Sequence, residues 1–277
     1  MSSSRIIYYY QTLVGLEPLL NLDIPPCTHI ILSAFHFGTN PDGSPYIHLN
    51  DYPPDDRRFT ECWQQLNTLS TRGVTILIML GGAGGAYSNL FKDDNSYKNY
   101  YNMLRNTIKT YEIIKGIDLD IEEYVKLDDI KKLMQDLHDD FGNEFIMTMA
   151  PLGSSLQNDT TGMGGFIYKD LYNSPQGQYI SWFNGQFYGS YTKDDIEQVV
   201  KNGYPVDMIV MGMISSQFPS TESFSDCLIT LLEIKEKYPN FGGVDVWEYF
   251  NSPPGIIKDP SLWGHVIYKL FNLPIQD

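Results

Sequence analysis

The chain has 277 residues, enough for one large core and short of two ordinary domains. A net charge of −15 argues against nucleic acid or an anionic membrane as partner and leaves a neutral substrate open. Nothing approaches the ~18–20 apolar residues of a membrane span. The 20 tyrosines are as compatible with ordinary packing as with a sugar-binding groove, where rings stack on C–H faces. Cys27, Cys62 and Cys227 are odd in number and widely spaced, so neither a disulfide framework nor a zinc site is expected. The opening Met1-Ser2-Ser3-Ser4-Arg5 lacks a signal-peptide pattern; the protein reads as cytoplasmic as written, or secreted if a leader was removed.

Arg5–Tyr10, rich in β-branched and aromatic residues, predicts a first strand, and His29–Phe37 a second after the Pro25-Pro26 break. Thr39–Arg58 reads as a polar loop with turn signals at Pro41-Asp42-Gly43 and Pro53-Pro54. Thr60 is a candidate N-cap for a helix to Arg72, stopped by Gly73. Val74–Leu80 is an unbroken apolar strand ending in glycines, as expected of a strand covered on both faces. A helix over Ser96–Ile113 leads into an acidic strand, Lys115 to Tyr124.

Helix Leu127–Phe141, strand Phe145–Ala150, a Gly/Ser-rich loop from Leu152 to Gly165 and a strand within Ile180–Tyr191 follow. Then come helix Lys193–Asn202, strand Asp207–Met213, helix Phe224–Tyr238, strand Gly243–Tyr249 and helix Pro260–Phe271. Eight strands alternating with helices or long loops imply right-handed βαβ units and a parallel sheet. The size fits a single (β/α)8 TIM barrel spanning 1–277, one catalytic domain with no insertion after the seventh strand.

The acidic strand carries the chemistry. Asp118, Asp120 and Glu122 alternate with Ile117, Leu119 and Ile121, so a strand points the acids one way and the aliphatics the other. A solvated acidic edge strand and a Mg²⁺ or Ca²⁺ cluster both fit the pattern. Acid–base chemistry fits it best, because crowding carboxylates beside buried aliphatic surface costs stability. Glu122 falls at the carboxyl end of the fourth predicted strand, where barrel chemistry gathers. The five histidines are scattered without a metal-ligand pair, and no phosphate loop or Gly-x-Ser-x-Gly elbow is present; no cofactor is expected.

Gly116-Ile117-Asp118-Leu119-Asp120-Ile121-Glu122 resembles the D-G-x-D-x-D-x-E signature of the family 18 glycoside hydrolases, and its Asp-Ile-Glu form is most similar to the small plant and fungal class III chitinases. Tyr8-Tyr9-Tyr10-Gln11, Ser33-Ala34-Phe35, Met79-Leu80-Gly81-Gly82, Ala150-Pro151, Gln186-Phe187-Tyr188-Gly189 and Gly242-Gly243-Val244-Asp245-Val246-Trp247 resemble that family's other strand motifs in order. The resemblance implies a chitinase-like hydrolase of β-1,4-linked N-acetylglucosamine. The alternatives are an endo-β-N-acetylglucosaminidase acting on N-glycans, or a binding protein on the same barrel. By the same resemblance Glu122 is the general acid and Asp120 the partner of the sugar's acetamido N–H. Asp118 sets the charge of Asp120, and Tyr188 binds the acetamido oxygen. Trp247 is the floor, with Gln186, Tyr8, Phe35 and Met149 around it. The implied nucleophile is the substrate's own acetamido group, an exception to the two-carboxylate scheme. The implied partner is an N-acetylglucosamine-containing oligo- or polysaccharide met by a monomer, with neither nucleic acid nor membrane involved.

Three residues depart from the pattern. Lys115 replaces the first Asp of the signature and by alternation points away from Asp118 and Asp120. Met79 stands where Ser is usual. Asp245 stands where an apolar residue is usual and shares the Trp247 face, adding a carboxyl to the barrel interior. Glu123 is expected on the opposite face from Glu122, at the surface or behind the site. The short Ile214–Ser223 loop suggests an open groove and endo cleavage.

Overall fold

A computed structural model describes residues 4–255 and 259–273. The strands are β1 (Arg5–Tyr10), β2 (His29–Thr39), β3 (Pro45–Leu49), β4 (Thr75–Gly81), β5 (Ile114–Asp120), β6 (Ile146–Met149), β7 (Ile180–Gln186), β8 (Ile209–Ile214) and β9 (Gly243–Trp247). All but β3 are parallel, and β1 pairs with both β2 and β9, closing an eight-stranded barrel. The molecule is a single (β/α)8 TIM barrel, as the alternation of strands and helices implies.

The polar loop expected over Thr39–Arg58 is corrected in part. Its middle forms β3, which runs antiparallel to the end of β2 with His36 opposite His48 and Phe37 opposite Ile47. The pattern was hidden because the strand is only five residues long and sits between turn residues. Thr60 is likewise not the cap. Asp56 accepts from the Arg58 N–H, a 3₁₀ turn over Arg57–Phe59 follows, and Thr60 already lies inside the helix Thr60–Thr71.

The outer helices form by amphipathic pattern. In Leu127–Phe141 the buried Ile130, Leu133, Met134 and Leu137 fall on one stripe, and Asp128 and Asp129 sit in the positive first turn. Gly142 ends it at φ 77°. Burying each of those four side chains contributes about 1.5–3 kcal/mol.

Two cores result. The larger lies between strands and helices. The smaller fills the barrel with Ile7, Tyr9, Ile31, Ala34, Leu77, Met79, Trp182 and Val210. At the amino-terminal end, the Arg5 guanidinium lies 4.2 Å over the Trp182 ring and His29 packs against it edge-on. After β8 the chain passes a 3₁₀ turn, Ser215–Gln217, and enters helix Thr221–Lys237, leaving no room for an inserted domain. No described helix is long and apolar enough to cross a membrane.

Candidate active site

Strand β5 turns Asp118 and Asp120 into the barrel while Ile117 and Leu119, both fully buried, face the outer core. Asp118 accepts hydrogen bonds from the hydroxyls of Thr148 (2.5 Å) and Tyr9 (2.8 Å) and from the Asn184 amide (3.0 Å). Asn184 in turn accepts from the Trp182 indole at 2.8 Å, linking the acid to the barrel's plug. Burial pushes the Asp118 carboxyl above the usual carboxylate range, against the pull of those three donors. Asp120 is raised well above it, by burial first and then by the charges of Glu122, Asp118 and Asp245. The Gln186 amide donates to Asp120 at 3.3 Å and to the Ala150 carbonyl at 2.9 Å.

Glu122 lies two residues beyond the end of β5 and is half-buried. It opens with Asp120, Gln186, Tyr188 and Trp247 onto one cavity of about 230 Å³ at the carboxyl end of the barrel. Asp120 and Glu122 are the only carboxylates among the described residues lining it. Trp247 leans against Tyr9, ring centroids 5.5 Å apart, which fixes the plane of the cavity wall. Tyr188 exposes 37% of its surface. Its hydroxyl is nevertheless desolvated: burial, then the charges of Asp245, Asp120, Glu122 and Asp118, hold its ionisation well above that of an ordinary phenol. Gly81, at φ 102°, lets the chain turn beside β5; a Cβ there would lie 2.7 Å from the Tyr87 ring.

Three residues expected around the cavity stand elsewhere. Tyr8 is wholly buried on the outer face of β1, donating to the Pro260 carbonyl at 2.7 Å and accepting from the Gly264 N–H at 2.8 Å. Phe35 faces outward because the register of β2 shifts between Leu32 and Phe35. Met149 faces outward because alternation in β6 turns Thr148, not Met149, into the barrel. Glu122, Asp120, Gln186, Tyr188 and Trp247 are brought together at the cavity, with Asp118 directly beneath.

Sequence reasoning missed Tyr9, Thr148 and Asn184, the donors to Asp118, and Glu248. Glu248 is 6% exposed and accepts from the backbone N–H of Gln11 (3.0 Å) and Thr12 (2.7 Å), fixing Gln11 at the cavity wall. A polar residue beside apolar neighbours at Thr148 and Asn184 was the available signal; Tyr9 carried none, because β1 is buried on both faces.

The departures take definite places. Lys115 is exposed at the start of β5 and donates to the Glu112 carbonyl, outside the barrel into which Asp118 and Asp120 turn. Met79 lines the cavity, its sulfur accepting from Ser33 at 3.6 Å. Asp245 lies inside the barrel over Gly212, where a Cβ would come within 2.7 Å of its carboxyl, and its Oδ2 has no hydrogen-bond partner among the described residues. Burial, then Asp118, raises it well above the usual range. Glu123 turns away and accepts from the N–H groups of Ala86 (2.5 Å), Tyr87 (2.6 Å) and Ser88 (3.2 Å). Among the described residues, no group of three His, Cys, Asp or Glu side chains is arranged to hold a metal ion.

Comparison with known proteins places this geometry. Residues 5–218 match the model of the glycosyl hydrolases family 18. A fungal endo-β-N-acetylglucosaminidase of that family is 32% identical, with TM-score 0.86 over 97% of this chain and 98% of its own. The chitinase ChiC from Aspergillus fumigatus is 34% identical, with TM-score 0.79 over 95% and 98%. An acidic endochitinase of Cicer arietinum is 25% identical over 245 residues, 79% of this chain and 76% of that protein. The chain belongs to the glycosyl hydrolases family 18 and is a glycoside hydrolase acting on N-acetylglucosamine-containing glycans.

Proposed function

We propose that this enzyme is a retaining endo-glycosidase that hydrolyses β-1,4-linked N-acetylglucosamine with the substrate's own acetamido group as nucleophile. The observation that carries the reading is the carboxylate set of the cavity. Asp120 and Glu122 both come from one strand end, and no acid lines the opposite wall among the described residues. A second carboxylate across the bond, as double displacement needs, is therefore not supplied.

In this reading the Glu122 carboxyl gives its proton to the glycosidic oxygen as the bond to the anomeric carbon breaks. The acetamido oxygen bonds to that carbon from below, giving an oxazolinium ion. Asp120, held by the Gln186 amide, accepts the hydrogen bond of the acetamido N–H and stabilises the positive charge as it develops. Tyr188 holds the acetamido oxygen in line, and Trp247 carries the sugar face. Water then attacks the anomeric carbon, losing its proton to Glu122, and the configuration is retained. The short connection after β8 leaves the cleft open at that side, which favours cleavage within a chain.

Two arms test this. A thiazoline mimic of the cyclised intermediate should inhibit competitively; indifference to it would remove the acetamido role. Glu122→Gln should keep substrate binding while turnover of chitin oligosaccharides and of a high-mannose glycopeptide falls by about 10²–10⁴-fold. Undiminished turnover would remove the acid role.

A further inference from the structure

Two glutamates stand directly after residues that face the catalytic cavity: Glu123 follows Glu122, and Glu248 follows Trp247. Neither lines the cavity. Each reaches instead to the chain leaving the neighbouring strand and accepts from consecutive backbone N–H groups there. Glu123, past the end of β5, takes those of Ala86, Tyr87 and Ser88 after β4. Glu248, past the end of β9, takes those of Gln11 and Thr12 after β1. Its other oxygen accepts from the Thr12 hydroxyl at 2.8 Å.

Strand pairing does not reach these residues. The register of β5 on β4 ends with Asp120 opposite Gly81, so Glu122 rides on irregular backbone two residues further on. The wall it faces is no stiffer by itself. Gly81, Gly82, Gly84 and Gly85 all have positive φ, and Gly81, Gly82 and Ala83 line the cavity. Two attachments join that wall to the acid's own segment: the Gly82 N–H donates to the Asp120 carbonyl at 2.9 Å, and Glu123 grips the far end of the loop. Gly85 leaves room for the grip, since a Cβ there would lie 3.3 Å from the Glu123 carboxyl. Glu122 lies between the two attachments, which set its distance from the glycine wall. Across the cavity β9 ends at Trp247. There the Ser215 hydroxyl donates to the Trp247 carbonyl at 2.9 Å and meets the Glu248 N–H at 3.1 Å. Glu248 thereby joins the backbone of Trp247 to Gln11, which lines the same cavity.

We propose that Glu123 and Glu248 are positioning residues of the reaction: Glu123 fixes the acid Glu122 against the β4 wall, and Glu248 fixes the Trp247 floor against the β1 wall. The inference rests on the glycosidase reading above and extends it to residues that touch no substrate. The two should fail differently. A misplaced acid is felt in the transition state alone, so kcat falls and KM stays. A loosened floor weakens ground state and transition state alike, so KM rises and kcat stays.

Steady-state kinetics separates the two roles, on whichever of chitopentaose and a high-mannose glycopeptide the wild type cleaves faster. Rates are taken at a temperature where circular dichroism shows every variant folded. Glu123→Ala should lower kcat about 10²-fold with KM within about twofold. Glu248→Ala should raise KM about tenfold with kcat within about twofold. Glu123→Gln and Glu248→Gln keep an acceptor oxygen in place and should regain about tenfold of the lost kcat and about threefold of the raised KM. If an alanine variant does not fold, Glu123→Asp or Glu248→Asp should give the same pattern at smaller size. Tyr97→Phe removes a hydrogen bond to Asp136 between helices Asp94–Thr110 and Leu127–Phe141, and as the control should leave both constants unchanged. Wild-type constants in folded glutamate variants, one and the same pattern at both sites, or losses matched by Tyr97→Phe would overturn the proposal and leave the glycosidase reading intact. Full activity of Glu122→Gln would instead overturn that underlying reading.

Discussion

Two sets of carboxylates in this barrel are taken out of water and titrate in opposite directions. Asp118, Asp120 and Asp245, inside the barrel, are all raised, by burial first and in the last two by neighbouring acids as well. Glu123 and Asp195, at the rim, also lose solvent, which alone would raise them, yet both end below the usual range. Glu123 accepts from three backbone N–H groups; Asp195 accepts from Ser190, from the Thr192 hydroxyl and from the Thr192 N–H, closing a capping box. Asp118 has three donors too, but its burial is complete and outweighs them. The lesson is that a buried acid keeps its proton when burial and neighbouring acids outweigh the donors around it. The rim acids stay ionised and fasten loops; the inner acids are poised to exchange protons.

The largest break in this contrast should come from Asp120→Asn, which removes an ionisable member of the inner set without changing its size. Turnover is expected to fall about 10²–10³-fold with little change in thermal midpoint; a variant retaining wild-type kcat would show that the inner set is only packing. Next is Glu123→Gln, which weakens three charge-assisted hydrogen bonds at the rim. It should lower unfolding free energy by about 1–3 kcal/mol in urea titration.

The pH dependence of that loss follows from the sign of the shift. A depressed carboxyl contributes stability that is present above its unfolded range, near pH 4, and disappears as pH falls through the folded value. The gap between variant and wild type should therefore close on acidification, and a gap constant with pH would contradict the assignment. Asp245→Asn should have the smallest and opposite effect. A raised acid makes the folded state hold the extra proton, so stability falls as pH rises above about 4. The variant should gain stability at neutral pH and not at pH 4. Because Asp245 helps raise Asp120, its removal should also move the pH profile of kcat/KM to lower pH. A profile that stays in place or moves up would sever that coupling.

The same contrast explains what could be read from the chain. On β5 acids and aliphatics alternate, so parity, face and the inward pair Asp118 and Asp120 were legible. The order of strands and helices was legible for the same reason, because their periods differ. On β1, Ile6 to Tyr10 are all buried, some toward helices and some toward the barrel, so nothing in the residues separates Tyr8 from Tyr9. Phe35 was misplaced by a register shift that exists only once β2 and β4 pair. Asn184 and Glu248 meet partners 66 and 237 positions away, contacts that no local pattern carries.

The central claim is that the sugar's acetamido group, steadied by Asp120 and Tyr188, attacks its own anomeric carbon. The direct measurement compares a chromogenic chitobioside with its analogue bearing a hydroxyl in place of the acetamido group on the reacting ring. The account expects kcat for the analogue to fall by at least about 10³-fold, since an intramolecular nucleophile is lost. Comparable kcat values for the two substrates would contradict it.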